Sequence, residues 1–192
     1  MTHKSDTICA LATAYGQSGI GVIRVSGPLS RFIAKKILHK DLESRYAYYG
    51  AFFDDDSHVI DKGVAIVFPG PNSYTGEDVV EFQGHGGISV IRKLLETIIS
   101  LDVRLAEPGE FTKRAFLNGK MDLVQAEAVQ DLIQSNSEES ALSAVRSLTG
   151  EFSEQINLIL SELISLRVFV EATIDFSDEE IDFLVDYFSS DT

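Results

Sequence analysis

The sequence predicts an α+β fold, and three observations carry that prediction. Over residues 1–117, stretches with the alternating period of a strand and stretches with the longer period of a helix succeed one another in no regular order. Two strand-like stretches adjoin across an acidic turn, as a hairpin requires and a doubly wound parallel sheet does not. From Glu110 onward the helical period takes over, and no convincing strand appears again.

Taken in order, Thr7 to Ala14 and Ile20 to Ser26 read as strands separated by a turn over Gly16 to Gly19. Ser26-Gly27-Pro28 punctuates, and Leu29, Phe32, Ile33, Lys36 and Ile37 then recur at helical spacing. Tyr46 to Phe53 and Val59 to Phe68 form the hairpin, joined through Asp54-Asp55-Asp56. Pro69 to Asp78 is rich in turn-formers and reads as a loop. Val79 to Gln83 is a further strand, Gly84-His85-Gly86-Gly87 leads into a helix marked by Ile88, Ile91, Leu94, Leu95 and Ile98, and Val103 to Ala106 is a short last strand.

In the helical part, Asn118-Gly119 tolerates the left-handed backbone of a helix stop. Asp122 with Gln125 makes a capping box for a helix over Leu123 to Gln134. Ser137 and Gly150 punctuate the next helical stretch, and Phe152, Ile156, Ile159, Leu163, Leu166 and Val170 predict an apolar stripe on a long helix. A stripe of this kind needs partners, so residues 118–192 read as the first part of a helical bundle, and residues 1–117 as a separate domain.

Charge divides the chain at the same place. Residues 1–117 hold 13 Lys and Arg against 14 Asp and Glu, whereas residues 118–192 hold 3 against 16, so nearly all of the net −14 lies in the helical part. That part would repel a phosphate backbone, and any direct RNA contact is expected from the near-neutral part. No apolar run approaches the ~18 residues a membrane span needs. The start, Met1 to Asp6, is too polar for a signal peptide, and the reading is of a cytoplasmic protein without a membrane partner. The single cysteine, Cys9, excludes an internal disulfide and sits in an apolar stretch, as a small buried thiol would.

Chemistry-bearing positions are few. Gly16, Gly19 and Gly21 precede a strand rather than a helix, which is the wrong order for a dinucleotide fingerprint, and the Gly-Lys-Ser/Thr ending of a Walker loop is absent from the sequence. Gly84-His85-Gly86-Gly87 joins a strand to a helix, consistent either with an anion at the helix start or with close packing of helix on strand. No histidine pair has metal-ligand spacing, and no metal site is expected. Arg24 interrupts Ile23 and Val25, Glu81 interrupts Val80 and Phe82, and Lys120 comes after the Asn118-Gly119 stop. Alternation puts Arg24 and Glu81 on the sheet face away from their apolar neighbours, as a solvated surface or as a site.

Several long strings carry a resemblance: Gly19-Ile20-Gly21-Val22-Ile23-Arg24-Val25-Ser26-Gly27, Phe68 through Asp78, Glu81-Phe82-Gln83-Gly84-His85-Gly86-Gly87, Pro108 through Lys120, and Glu171-Ala172-Thr173-Ile174-Asp175-Phe176. Across nearly its whole length the chain resembles the tRNA-modifying GTPases of the MnmE (TrmE) family. One departure is Ala14-Tyr15, where the family usually has two prolines before the glycine turn.

The resemblance implies a tetrahydrofolate-binding, aminomethyltransferase-like N-terminal domain, followed by an incomplete helical domain cut before the inserted GTPase domain. It assigns a 5-formyltetrahydrofolate-like one-carbon donor to Arg24, Glu81 and Lys120, with a further lysine from a C-terminal Cys-x-Gly-Lys string that this chain does not contain. GTP, Mg2+ and K+ would belong to the GTPase domain alone, so no catalytic residue is expected in this chain and no GTP hydrolysis by it. The parent would act with the flavoprotein MnmG to install an aminomethyl-type group on C5 of the wobble uridine of tRNA, as a homodimer formed through the N-terminal domain. Two rivals are a free-standing folate-dependent one-carbon transferase, which would not need the acidic helical part, and a scaffold with a vestigial pocket.

Overall fold

The computed structural model describes residues 6–175, so the polar start Met1 to Ser5, Phe176 and the acidic end of the chain lie outside the described residues. The chain divides into two compact units, one ending at Ala126 and the other beginning at Glu127.

The first unit is a six-stranded sheet in the order β3-β4-β5-β2-β1-β6 with two helices packed on one face. Its strands are β1 (Ile8–Leu11), β2 (Ser18–Ser26), β3 (Tyr48–Phe53), β4 (Val59–Phe68), β5 (Val79–Gly86) and β6 (Arg104–Leu105). Neighbours pair antiparallel except β6, which runs parallel to β1. Helices α1 (Ser30–Leu38) and α2 (Ile88–Ile99) supply the second layer, and α3 (Glu110–Leu117) comes after β6. The core lies between layers: Cys9, Ile23, Val25, Phe52, Ala65, Val67, Val80 and Phe82 from the strands meet Ile33 and Ile37 of α1 and Ile91, Leu94 and Ile98 of α2. Phe52 and Phe82 pack edge to face with centroids 5.6 Å apart, the preferred geometry for two quadrupoles. Burial pushes the Cys9 thiol up to about 11, which makes it a packing group rather than a nucleophile.

The α+β assignment is borne out, with local differences. The first strand is shorter than the sequence suggested, and Phe32, placed on the apolar spacing of α1, is exposed. β5 continues through the glycines to Gly86, where it still pairs with Ser18 of β2. A Cβ on Gly86 would collide with the Ser18 hydroxyl and lie 2.7 Å from the Ser18 carbonyl oxygen, so this glycine serves close strand packing. At the end of α3 the left-handed residue is Gly119 rather than Asn118.

Helix α4 (Leu123–Gln134) begins with the expected capping box: the Gln125 N–H donates to Asp122 Oδ1 at 2.8 Å and the Asp122 N–H to Gln125 Oε1 at 2.9 Å. The second unit continues with α5 (Glu138–Leu148), capped by Ser137, and α6 (Glu151–Asp175). Helix α6 departs from the expected one-sided stripe. Leu158, Leu160, Ile164 and Val168 stand exposed off the line of the stripe, so the apolar surface is broader than one stripe, with Glu154, Glu162, Arg167 and Glu171 on the rest of the helix. Among the described residues no helix is long and apolar enough to cross a membrane.

Candidate functional site

The site grows out of strand alternation. Because Ile23, Val25, Val80 and Phe82 all point into the core, Arg24 and Glu81 emerge together on the opposite face, and the register of β2 against β5 places them directly across from each other. Arg24 donates to Glu81 Oε1 from Nε at 2.9 Å and from Nη2 at 2.8 Å. The two side chains retain only 25% and 16% of their exposure, so the pair is neither a solvated decoration nor sealed from a ligand.

Two aromatic rings flank the guanidinium. The Arg24 Cζ lies 5.0 Å from the ring centroid of Tyr74 and 5.7 Å from that of Phe111, within the range of cation–π attraction. Tyr74 comes from the loop between β4 and β5, Phe111 from α3, and the Tyr74 hydroxyl meets Thr112 Oγ1 at 2.9 Å. Asn118 Nδ2 donates to the Thr75 carbonyl at 2.7 Å, tying the end of α3 to the same loop.

Lys120 is held where α3 ends, its N–H donating to the Ala115 carbonyl at 2.8 Å. Its aliphatic stem lies against Gly76, whose φ of 79° suits glycine: a Cβ there would come within 3.1 Å of Asn118 Cβ and 3.3 Å of Lys120 Cγ. Of the three residues singled out from sequence, Arg24 and Glu81 are thus in direct contact. Lys120 is exposed beside the adjoining loop and pairs with neither among the described residues.

Beside this pair runs a charged network that sequence reading missed. Arg114 donates to Glu77 Oε2 at 3.0 Å, to Asp6 Oδ1 at 2.6 Å and to the Asp6 carbonyl at 2.7 Å, while Arg104 donates to Glu110 Oε2 at 2.8 Å. Ser26 Oγ donates to Glu77 Oε2 at 2.7 Å and lies 2.7 Å from Thr75 Oγ1. The hydrogen bonds from Arg104 hold the Glu110 carboxyl down at about 2 against the opposing effect of burial. The pairings of Arg114 with Glu77 and Asp6 join residues 37 and 108 positions apart and leave no local signal. The nearest hint is that Arg114 and Glu77 lie in two of the strings that carry the family resemblance.

The donors and acceptors on this face suit a planar heterocycle bearing adjacent N–H groups and a carbonyl or carboxylate: Glu81 accepts, while Arg24 and Lys120 donate. Elsewhere, His85 Nδ1 lies 2.7 Å from Asp61 Oδ1 at the far end of β5, and a groove of about 620 Å³ is lined by hydroxyl and amide side chains such as Ser135, Asn136 and Ser140. Neither combines fixed charge with an aromatic surface.

Comparison with known proteins gives the lineage. The family model described as "GTP-binding protein TrmE N-terminus" matches residues 7–120, and the model "MnmE helical domain" matches residues 123–190. The chain belongs to the MnmE (TrmE) family. Among MnmE relatives, a protein named "tRNA modification GTPase MnmE" from Vesicomyosocius okutanii subsp. Calyptogena okutanii (strain HA) is 62% identical over 184 residues, covering 96% of this chain and 41% of the relative. One of the same name from Ectopseudomonas mendocina (strain ymp) is 54% identical over 186 residues, covering 97% of this chain and 41% of the relative. The chain therefore spans about two fifths of the length of the curated MnmE proteins it matches.

Proposed function

We propose that this chain is the ligand-binding and self-associating part of a tRNA-modification GTPase, and that Arg24, Glu81 and Lys120 hold a 5-formyltetrahydrofolate-like one-carbon donor. The observation that carries this reading is the in-register Arg24–Glu81 pair, with Tyr74 and Phe111 close to the guanidinium, in a chain of the MnmE family. The Glu81 carboxylate suits the adjacent N–H groups of a pterin ring, and the cations suit the carbonyl or carboxylate oxygens of the folate. When bound, the folate would supply the one-carbon unit. This chain's residues bind and orient it. GTP, with Mg2+ and K+, belongs to the GTPase domain of the parent, and this chain alone is proposed to lack GTP hydrolysis. In the cytoplasm the parent would act with the flavoprotein MnmG on the wobble uridine of tRNA.

Homodimerisation through residues 1–117 is part of the proposal. The sheet face that carries Arg24 and Glu81 also presents Val64 and Ile66 of β4, with Tyr49 of β3 exposed beside them. A surface this apolar and near neutral in charge suits a second copy. The test of the site is calorimetric titration of the purified chain with 5-formyltetrahydrofolate. Saturable binding that Glu81→Ala weakens supports the reading, and no saturable heat from the folded chain contradicts it.

A further inference from the structure

The charged network beside the Arg24–Glu81 pair draws on the same three segments as the pair's surroundings: β2, the β4–β5 loop and α3. Arg24 is flanked by Tyr74 from the β4–β5 loop and Phe111 from α3. Two residues after Arg24 on β2 comes Ser26, three after Tyr74 comes Glu77, and three after Phe111 comes Arg114, one helical turn along. These three are joined: Ser26 donates to Glu77 at 2.7 Å, and Arg114 donates to Glu77 at 3.0 and 3.2 Å. The segments that surround the guanidinium are thus locked to one another by a second set of contacts alongside the first, two residues further on the same face of β2. The lock is tight, since Ser26 is fully buried and the Arg114 and Glu77 side chains keep 11% and 15% of their exposure.

We propose that Arg114 and Glu77 are positioning residues for the ligand site, holding Tyr74 and Phe111 against Arg24 before a ligand arrives. Arg114 suits the task because one planar fork spans Glu77 of the loop and Asp6 at the start of the sheet. A ligand then meets an Arg24 already oriented and does not have to freeze the loop and the helix as it binds. The identity of the ligand rests on the folate reading above; the positioning of Arg24 does not.

The experiment separates the two. In the ligand-free chain the Arg24 Nε–H resonance should carry a ring-current shift from Tyr74 and Phe111 and exchange slowly with water. In Glu77→Gln, which keeps the shape and removes the charge, that shift should shrink and exchange should quicken while the amide spectrum of the core stays in place. Arg114→Met should do the same, and the double variant should be no worse than the more affected single one. Where the wild-type chain binds 5-formyltetrahydrofolate, each variant should weaken it roughly ten-fold, the cost of ordering one or two side chains on binding. Arg114→Lys, which keeps the charge but not the fork, should recover part of both effects. An unchanged Arg24 resonance in Glu77→Gln overturns the proposal even if folate binds. A lost Arg24 signature in a chain that binds no folate upholds the positioning role and overturns the ligand assignment instead.

Discussion

At the scale of single residues, the difference between Glu81 and Glu77 is the most informative. Both are half-buried carboxylates paired with an arginine, but Glu81 stands on the sheet face across from Arg24 and Glu77 is turned onto Arg114 and Ser26. Glu81→Ala should therefore cost more folate affinity than Glu77→Ala. Loss of a direct charge-assisted contact costs about 1.5 to 3 kcal/mol, or roughly ten- to a hundred-fold in affinity. Calorimetry that found Glu77→Ala the more damaging of the two would reverse the assignment. Glu110 gives a second prediction, on pH. Its folded value is depressed to about 2 from an ordinary 4.5, so between those limits the unfolded chain holds more protons than the folded one. Its contribution to stability is complete above the unfolded value and is lost as pH falls towards 2. Unfolding midpoints measured between pH 5 and 2 should fall less steeply for Glu110→Gln than for the parent chain. The face on which Arg24 and Glu81 stand was legible from alternation alone. Their contact was not, because it depends on pairing two strands separated by the hairpin and loop.

Among the elements, the glycine-bearing end of β5 makes the firmest prediction. A methyl at Gly86 would strike the Ser18 hydroxyl, which can rotate away, but also the backbone carbonyls of Ser18 and Ile20, which cannot move without disturbing β2. Gly86→Ala should destabilise the chain by about 1 to 3 kcal/mol, as overpacking does, and a thermal melt will read it. An unchanged midpoint would mean that the strand end is free to shift. Local signals located most elements well. The capping box at Asp122 and Gln125 gave the bounds of α4, and the apolar spacing gave α1 and α2, because these depend on neighbours along the chain. The parallel pairing of β6 with β1 joins residues almost a hundred positions apart and has no such signal. Helix α6 differs for another reason: a stripe drawn through Phe152, Ile156, Ile159 and Leu163 leaves out Leu158, Leu160 and Ile164 between them, although all are equally visible in the sequence.

For the whole molecule, charge and surface point the same way. The sheet unit is near neutral, its Arg24–Glu81 face also presents Val64, Ile66 and Tyr49, and the acid excess falls in the helical part, where facing copies would repel. Deleting residues 121–192 should leave a folded dimer whose mass by light scattering changes little with added salt, since its core would be apolar rather than ionic. A monomer at micromolar concentration would place self-association outside this unit. The ligand proposed for this chain turns on the Arg24–Glu81 face being a folate site, and amide and side-chain NMR of the chain titrated with 5-formyltetrahydrofolate is the closest test of it. Saturable shifts are expected at Arg24, Glu81, Tyr74 to Glu77, Phe111 and Asn118 to Lys120, with the α1 and α2 side of the sheet unmoved. Shifts confined to other surfaces, such as the hydroxyl-lined groove around Ser135 and Ser140, or no saturable shift in a folded chain, would contradict it.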